Sequence, residues 1–122
     1  MTLLFGANNI GLLPGLRYLP PGFGAVAVAH PVEFEVLDFG TARNMTVLHN
    51  SPQPEAVNLT YTLRINGAPT ALSLVLSADG FTAADESNQL DLYPGSLVSL
   101  TVDVPGPLVN DELGVAISIR AD

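Results

Sequence analysis

An all-β fold of two antiparallel sheets is predicted by three features of this sequence. Apolar and polar residues alternate with period 2 in window after window, glycine and proline recur between those windows, and no window sustains a 3.6-residue period. Short strands at this spacing build a β-sandwich or barrel, and in two stacked sheets the alternate apolar positions become the core. About eight strands and little or no helix are expected.

Taken in order, residues 1–24, "MTLLFGANNIGLLPGLRYLPPGFG", are rich in Gly, Pro and Leu and hold no acidic residue. Glycine and proline at this density interrupt regular elements. The expectation is an extended arm over 1–24 that lies on a partner, with Leu16–Leu19 as a short edge strand, followed by the sandwich domain over 25–122. "GAVAVA" (24–29) reads as a short apolar strand, and "VEFEVLD" (32–38) turns Val32, Phe34 and Val36 inward and Glu33 and Glu35 outward. "NMTVLHN" (44–50) is the next strand, and the prolines of "SPQPEA" after it cannot donate to a ladder.

"YTLRINGAPTALSLVLS" (61–77) is the clearest hairpin. Tyr61, Leu63 and Ile65 share one face, Leu72, Leu74 and Leu76 repeat the pattern, and Asn66-Gly67 supplies the positive φ values of a tight turn. The loop either closes in two residues or runs on through Ala68-Pro69. "SADGFTAADESN" (77–88) reads as a polar loop with room for one helical turn after Thr82. "QLDLY" (89–93) and "SLVSLTVDV" (96–104) flank a Pro-Gly turn, the second with Val98, Leu100, Val102 and Val104 on one face. "PGPLVND" (105–111) is another connection, and "LGVAISIR" (113–120) closes the domain with Leu113, Val115, Ile117 and Ile119 inward.

Composition narrows the function. The 122 residues suffice for one domain with its own core, and the absence of cysteine removes disulfides and thiolate metal sites. Hydrophobic residues make up 48% and charged residues 13%, against about 25% charged in an average soluble domain. So short a chain with so little charge is expected to bury apolar surface against other chains. The net charge is −8 and the only permanent cations are Arg17, Arg43, Arg64 and Arg120. Nucleic acid is excluded as a partner because phosphate binding needs several cations on one face, and an anionic membrane would repel the chain. "MTLLFGANNIGLLPG" has no basic leading region, so synthesis without a classical leader is expected.

Chemistry is sparse. His30 and His49 stand near strand ends without metal-ligand spacing, and are expected to make local hydrogen bonds. There is no G-x-S-x-G elbow, no nucleotide-binding glycine fingerprint, and no cofactor is expected. Asp85-Glu86 and Asp111-Glu112 are adjacent carboxylates in expected loops, and neighbours on a strand would face opposite ways, so neither forms an acid/base dyad. A calcium site around Asp79, Asp85 and Glu86 has no EF-hand spacing behind it, and no metal is expected. The sequons at 44–46 and 58–60 fall within strands and read as chance. Tyr18 and Phe23 on "LRYLPPGFG" either anchor a partner or cap one end of the core.

"RYLPPGFG", "FGTARNMTVLHNSP", "LTYTLRINGAPTALSLVLSADGFTAADESNQLDLYPGSLVSLTV" and the final "VAISIR" resemble the small jelly-roll domains of the TNF/C1q-like type, which occur in bacterial and phage structural proteins. The resemblance spans about residues 14 to 120. It departs in Pro94, where such proteins often carry a small residue before the glycine, and in lacking a collagen-like stalk. It implies a homotrimer packed around a threefold axis, and among phage proteins a non-enzymatic capsid decoration, or cement, protein on the outer capsid surface. The partner would be the major capsid protein, gripped by Leu3, Leu4, Phe5, Leu12, Leu13, Leu16, Tyr18 and Phe23 of the arm. A receptor- or glycan-binding tip or head-fibre domain, reading its target with loops 50–56, 79–88 and 105–112, is the alternative.

Overall fold

The computed structural model describes residues 2–10, 15–22, 27–50, 58–77, 80–106 and 113–122. They form nine strands: β1 (Thr2–Ala7), β2 (Gly15–Leu19), β3 (Phe34–Glu35), β4 (Gly40–His49), β5 (Leu59–Ile65), β6 (Ala68–Leu76), β7 (Thr82–Leu92), β8 (Leu97–Val104) and β9 (Val115–Ala121). One sheet has the order β1-β9-β4-β7, and the other β2-β8-β5-β6 with β3 also on β8. All of these strand pairs are antiparallel. From β4 onward the chain passes between the sheets, leaving β4, β7 and β9 in one and β5, β6 and β8 in the other; this winding is a jelly roll.

The inward faces follow the period-2 pattern. Leu59, Tyr61 and Leu63 of β5, Leu72, Leu74 and Leu76 of β6, and Val98, Leu100, Val102 and Val104 of β8 are buried. They meet Ala42, Met45 and Val47 of β4 and Val115, Ile117 and Ile119 of β9. The hairpin closes in two residues, because Ile65 pairs with Ala68 and the turn is Asn66 (φ 51°) and Gly67 (φ 82°). Both residues lie in the left-handed region of a type I′ turn, whose twist matches that of the strands it joins.

Three expectations are corrected. The division at residue 24 does not hold: β1 pairs along its whole length with β9, β2 pairs with β8, and Phe5, Ile10 and Leu19 are in the core. The short edge strand expected at Leu16–Leu19 is β2, whereas β1 is an unexpected strand that is also met on its other edge, through Gly6. Its N–H donates to the Pro20 carbonyl at 3.1 Å, and Gly22 N–H donates to the Leu4 carbonyl at 2.8 Å. Residues 82–88 are not a loop but the first seven residues of the eleven-residue β7, where ladder bonds to β4 override a polar composition. Strand 32–38 contracts to Phe34–Glu35, because Val36 turns to the Pro94-Gly95 corner, donating to the Ser96 carbonyl and accepting from Gly95 N–H, both at 2.8 Å. Of the 24–29 stretch, Val28 forms an isolated bridge with Tyr18, and 24–26 lie outside the described residues.

Candidate assembly surfaces

The residues expected on a partner-gripping arm are distributed over different parts of the sandwich. Phe5 is fully buried and stacks at 5.8 Å on Phe34, so it holds the fold together. Leu3 is half-buried against the core, Leu4 is exposed on the outer face of the four-stranded sheet, and Leu16 and Tyr18 lie on the outer side of the other sheet, Tyr18 half-buried. Leu12, Leu13 and Phe23 lie outside the described residues.

Two surfaces stand out instead. The first is the outer face of β1-β9-β4-β7. Registers place Leu4, Ser118, Thr46 and Ala84 in one row across the four strands, and Gly6, Ala116, Leu48 and Thr82 in the next. None of these eight residues is charged. Arg43 and Arg120 border the face, but both guanidiniums bond the Asp122 carboxylate, Arg120 at 3.0 Å. Those contacts, that of Arg43 first, hold the Asp122 carboxyl below the usual carboxylate range. A shallow, mainly apolar pocket of about 430 Å³ at the end of the face is lined by Ala7, Asn8, Leu48, His49, Gly114 and Ala116, among others. The opposite sheet differs. Its outer side carries Arg64 and Asp103 and ties up its own hydroxyls: Thr62 and Ser73 meet at 3.0 Å, and Arg64 Nε donates to Thr101 Oγ1 at 3.2 Å.

The second surface is the end of the sandwich where β4 begins and β7 and β9 finish. Leu37 is 83% exposed, Phe39 72% and Tyr93 55%, and the two aromatic rings meet edge-on at 6.1 Å. Beside them a pocket of about 330 Å³ reaches Leu3, Val36, Leu92 and Ala121. Alternation over the expected strand 32–38 turns Leu37 outward with Glu33 and Glu35, but Leu37 and Phe39 both lie in the β3–β4 connection, where no strand parity holds.

Titratable groups inside the fold are held by structural contacts. His49, at the C-terminal end of β4, is buried and shares a 2.6 Å hydrogen bond between its Nε2 and Tyr61 Oη. The partner comes from the other sheet, so the bond is not local in sequence as expected. Burial lowers the His49 pKa from 6.5 to about 4 and raises that of Tyr61, and His49 Nδ1 has no partner among the described residues. His30 is exposed. Asp85 is not a solvated loop charge: it is buried on β7 and accepts from Ser87 N, Asn88 N and Asn88 Nδ2 at 2.9–3.2 Å, with a longer contact from Ser73 N. Desolvation raises its pKa, but these donors outweigh it and lower the value overall. Its carboxylate is thus occupied, and among the described residues no cluster of three His, Asp or Glu is placed to hold a metal. Asp79, Asp111 and Glu112 lie outside the described residues.

A crystal structure of GITRL from bushbaby, a TNF-family ligand, is similar to this chain at 14% identity, covering 100% of this chain and 96% of that one with a TM-score of 0.42. No family model and no curated protein matches the chain. The jelly roll itself is established by strand order and register, independently of that likeness.

Proposed function

We propose that this chain is a non-enzymatic structural protein that associates as a homotrimer through the outer face of β1-β9-β4-β7. In this reading it serves as a capsid decoration protein on the outer surface of a phage virion, bridging subunits of the major capsid protein. The observation that carries self-association is the pair of uncharged rows, Leu4-Ser118-Thr46-Ala84 and Gly6-Ala116-Leu48-Thr82. Sixteen charged residues (4 Arg, 12 Asp or Glu) are distributed over the chain, yet none falls on those rows. The rows carry small residues beside two exposed leucines, Leu4 and Leu48, and this apolar, charge-free composition suits the centre of a permanent interface. The bridging role is supported by the second apolar surface at the end of the sandwich, since a cement protein needs one surface for its own copies and another for the shell.

Light scattering of the full chain tests the self-association. The expected mass is that of a trimer, and Thr46→Glu or Ser118→Glu, each placing a carboxylate mid-face, is expected to give a monomer with an unchanged circular dichroism spectrum. A monomeric parent chain would overturn the trimer. The exposed Phe39–Tyr93 pair favours a second reading, a receptor- or glycan-binding tip, in which the same end reads a host surface.

A further inference from the structure

We infer that the end bearing Leu37, Phe39 and Tyr93 docks a protein segment that offers an aliphatic or aromatic side chain flanked by arginine or lysine. The inference rests on the reading of the chain as an assembly module and names the chemistry of its second partner. Three observations carry it.

The surface is apolar where it is most exposed. Leu37 and Phe39 project from the β3–β4 connection and Tyr93 from the β7–β8 corner, with the pocket of about 330 Å³ beside them. Exposed aromatics next to a pocket of this kind are the usual energetic centre of a protein interface.

The platform is also rigid. Val36 is bonded to Gly95 and Ser96, Thr41 and Asp122 exchange backbone bonds at 2.9 and 3.0 Å, and Phe39 N–H donates to Asp38 Oδ1 at 2.8 Å. At the same end, Asn66 N–H donates to the Leu97 carbonyl at 2.7 Å, and Leu97 N–H donates to Asn66 Oδ1 at 2.9 Å. Aromatics fixed in place this way lose little freedom on binding, which leaves more of the contact energy as affinity.

Charge then selects the occupant. Glu35 and Asp38 line the pocket and have no ion-pair partner among the described residues, with Glu33 two positions before. The nearby cations, Arg43 and Arg120, are engaged by Asp122. An apolar patch rimmed by uncompensated carboxylates favours a partner that brings its own cations and disfavours an acidic one. A second copy of this chain is a poor occupant by the same argument, with its net charge of −8.

The test is a titration of the ¹⁵N-labelled full chain with three short synthetic peptides, followed by backbone amide shifts. One carries leucine and phenylalanine between two arginines, the second the same pair between two glutamates, the third two alanines between arginines. The first is expected to shift Leu37, Gly40, Leu92 and Ala121, the second to bind at least about tenfold more weakly, and the third not to saturate. Phe39→Ala/Tyr93→Ala is expected to abolish binding without changing the solution mass, and Glu35→Gln/Asp38→Asn to bring the first two peptides within about twofold of each other. Equal binding of the glutamate peptide, shifts confined to another face, or no binding at millimolar peptide would overturn the inference. So would a fall in solution mass for Phe39→Ala/Tyr93→Ala, which would make this end a contact between copies. A monomeric parent chain that still prefers the arginine peptide would remove the trimer and keep the docking site.

Discussion

His49 carries the clearest pH consequence at the scale of a single residue. Burial favours the neutral ring, so the folded chain stays unprotonated at this site down to about pH 4, while the unfolded chain takes up a proton near 6.5. Between those values the unfolded state binds more protons, and stability therefore falls as pH falls. The gap from 6.5 to about 4 corresponds to about 3 kcal/mol, all of it present above pH 6.5. The depressed carboxyls act in a more acidic window, because the stability they give is intact above their usual value of 3.8 and is lost below it. Urea unfolding at pH 7.5, 5.5 and 4.5, at fixed protein concentration, is expected to show the loss. His49→Gln, which cannot titrate, is expected to be less stable at pH 7.5 but nearly flat across the same range. A wild-type chain equally stable at pH 7.5 and 4.5 would show that His49 is not buried as described.

At the scale of elements, turns and bulges set the register. Gly67 has φ 82° and open space around a would-be Cβ, so Gly67→Ala is resisted by backbone conformation alone. A loss of about 1 kcal/mol is expected in thermal or urea unfolding, with strand content unchanged. On β7 the pairing steps from Asp85↔Met45 to Gln89↔Arg43, so Glu86, Ser87 and Asn88 oppose Asn44 alone, itself at φ 55°. Asp85 closes that bulge by accepting from the Ser87 and Asn88 amides. Asp85→Ala removes those bonds and, because Ser87 and Asn88 are exposed to water, is expected to cost about 1 kcal/mol, with faster hydrogen exchange at Ser87 and Asn88 as the local readout. The strands with full alternation, β5, β6 and β9, were legible in the sequence because a more solvated face and a buried face is what period 2 encodes; β8 keeps the apolar alternation although Ser99 and Thr101 on its other face are buried as well. β7 was legible only at its end, as the expected strand 89–93, since the bulge before it breaks the period and an edge strand needs only backbone pairing. The apolar end was hardly legible: Leu37 and Phe39 lie between β3 and β4, where period 2 does not apply, and only the folded corner brings Tyr93 beside Phe39.

For the whole molecule, the decisive point is that β1 and β2 are strands of the sandwich. Local composition could not show this, because β1 and β2 find their partners about a hundred residues away, in β9 and β8. Removing 1–24 would strip β1 from β9 and β2 from β8, leaving two unpaired edges. It would also empty the core positions of Phe5, Ile10 and Leu19, all at 0% exposure. A buried phenylalanine is worth about 3–5 kcal/mol, and a buried leucine or isoleucine about 2–5, when cut back to alanine. Together these rival the whole stability of a typical domain, about 5–15 kcal/mol, before any ladder bond is counted. Truncation at residue 24 is thus expected to give an aggregating chain without a cooperative thermal transition, where a detachable arm would have left a folded domain of unchanged melting temperature. Circular dichroism melting of the two forms decides between them. If the truncated chain melts cooperatively at the parent temperature, β1 and β2 are dispensable and the arm is free to grip a partner; if it does not, the contacts that hold copies or capsid together must be sought on the outer sheet face and on the Phe39–Tyr93 end.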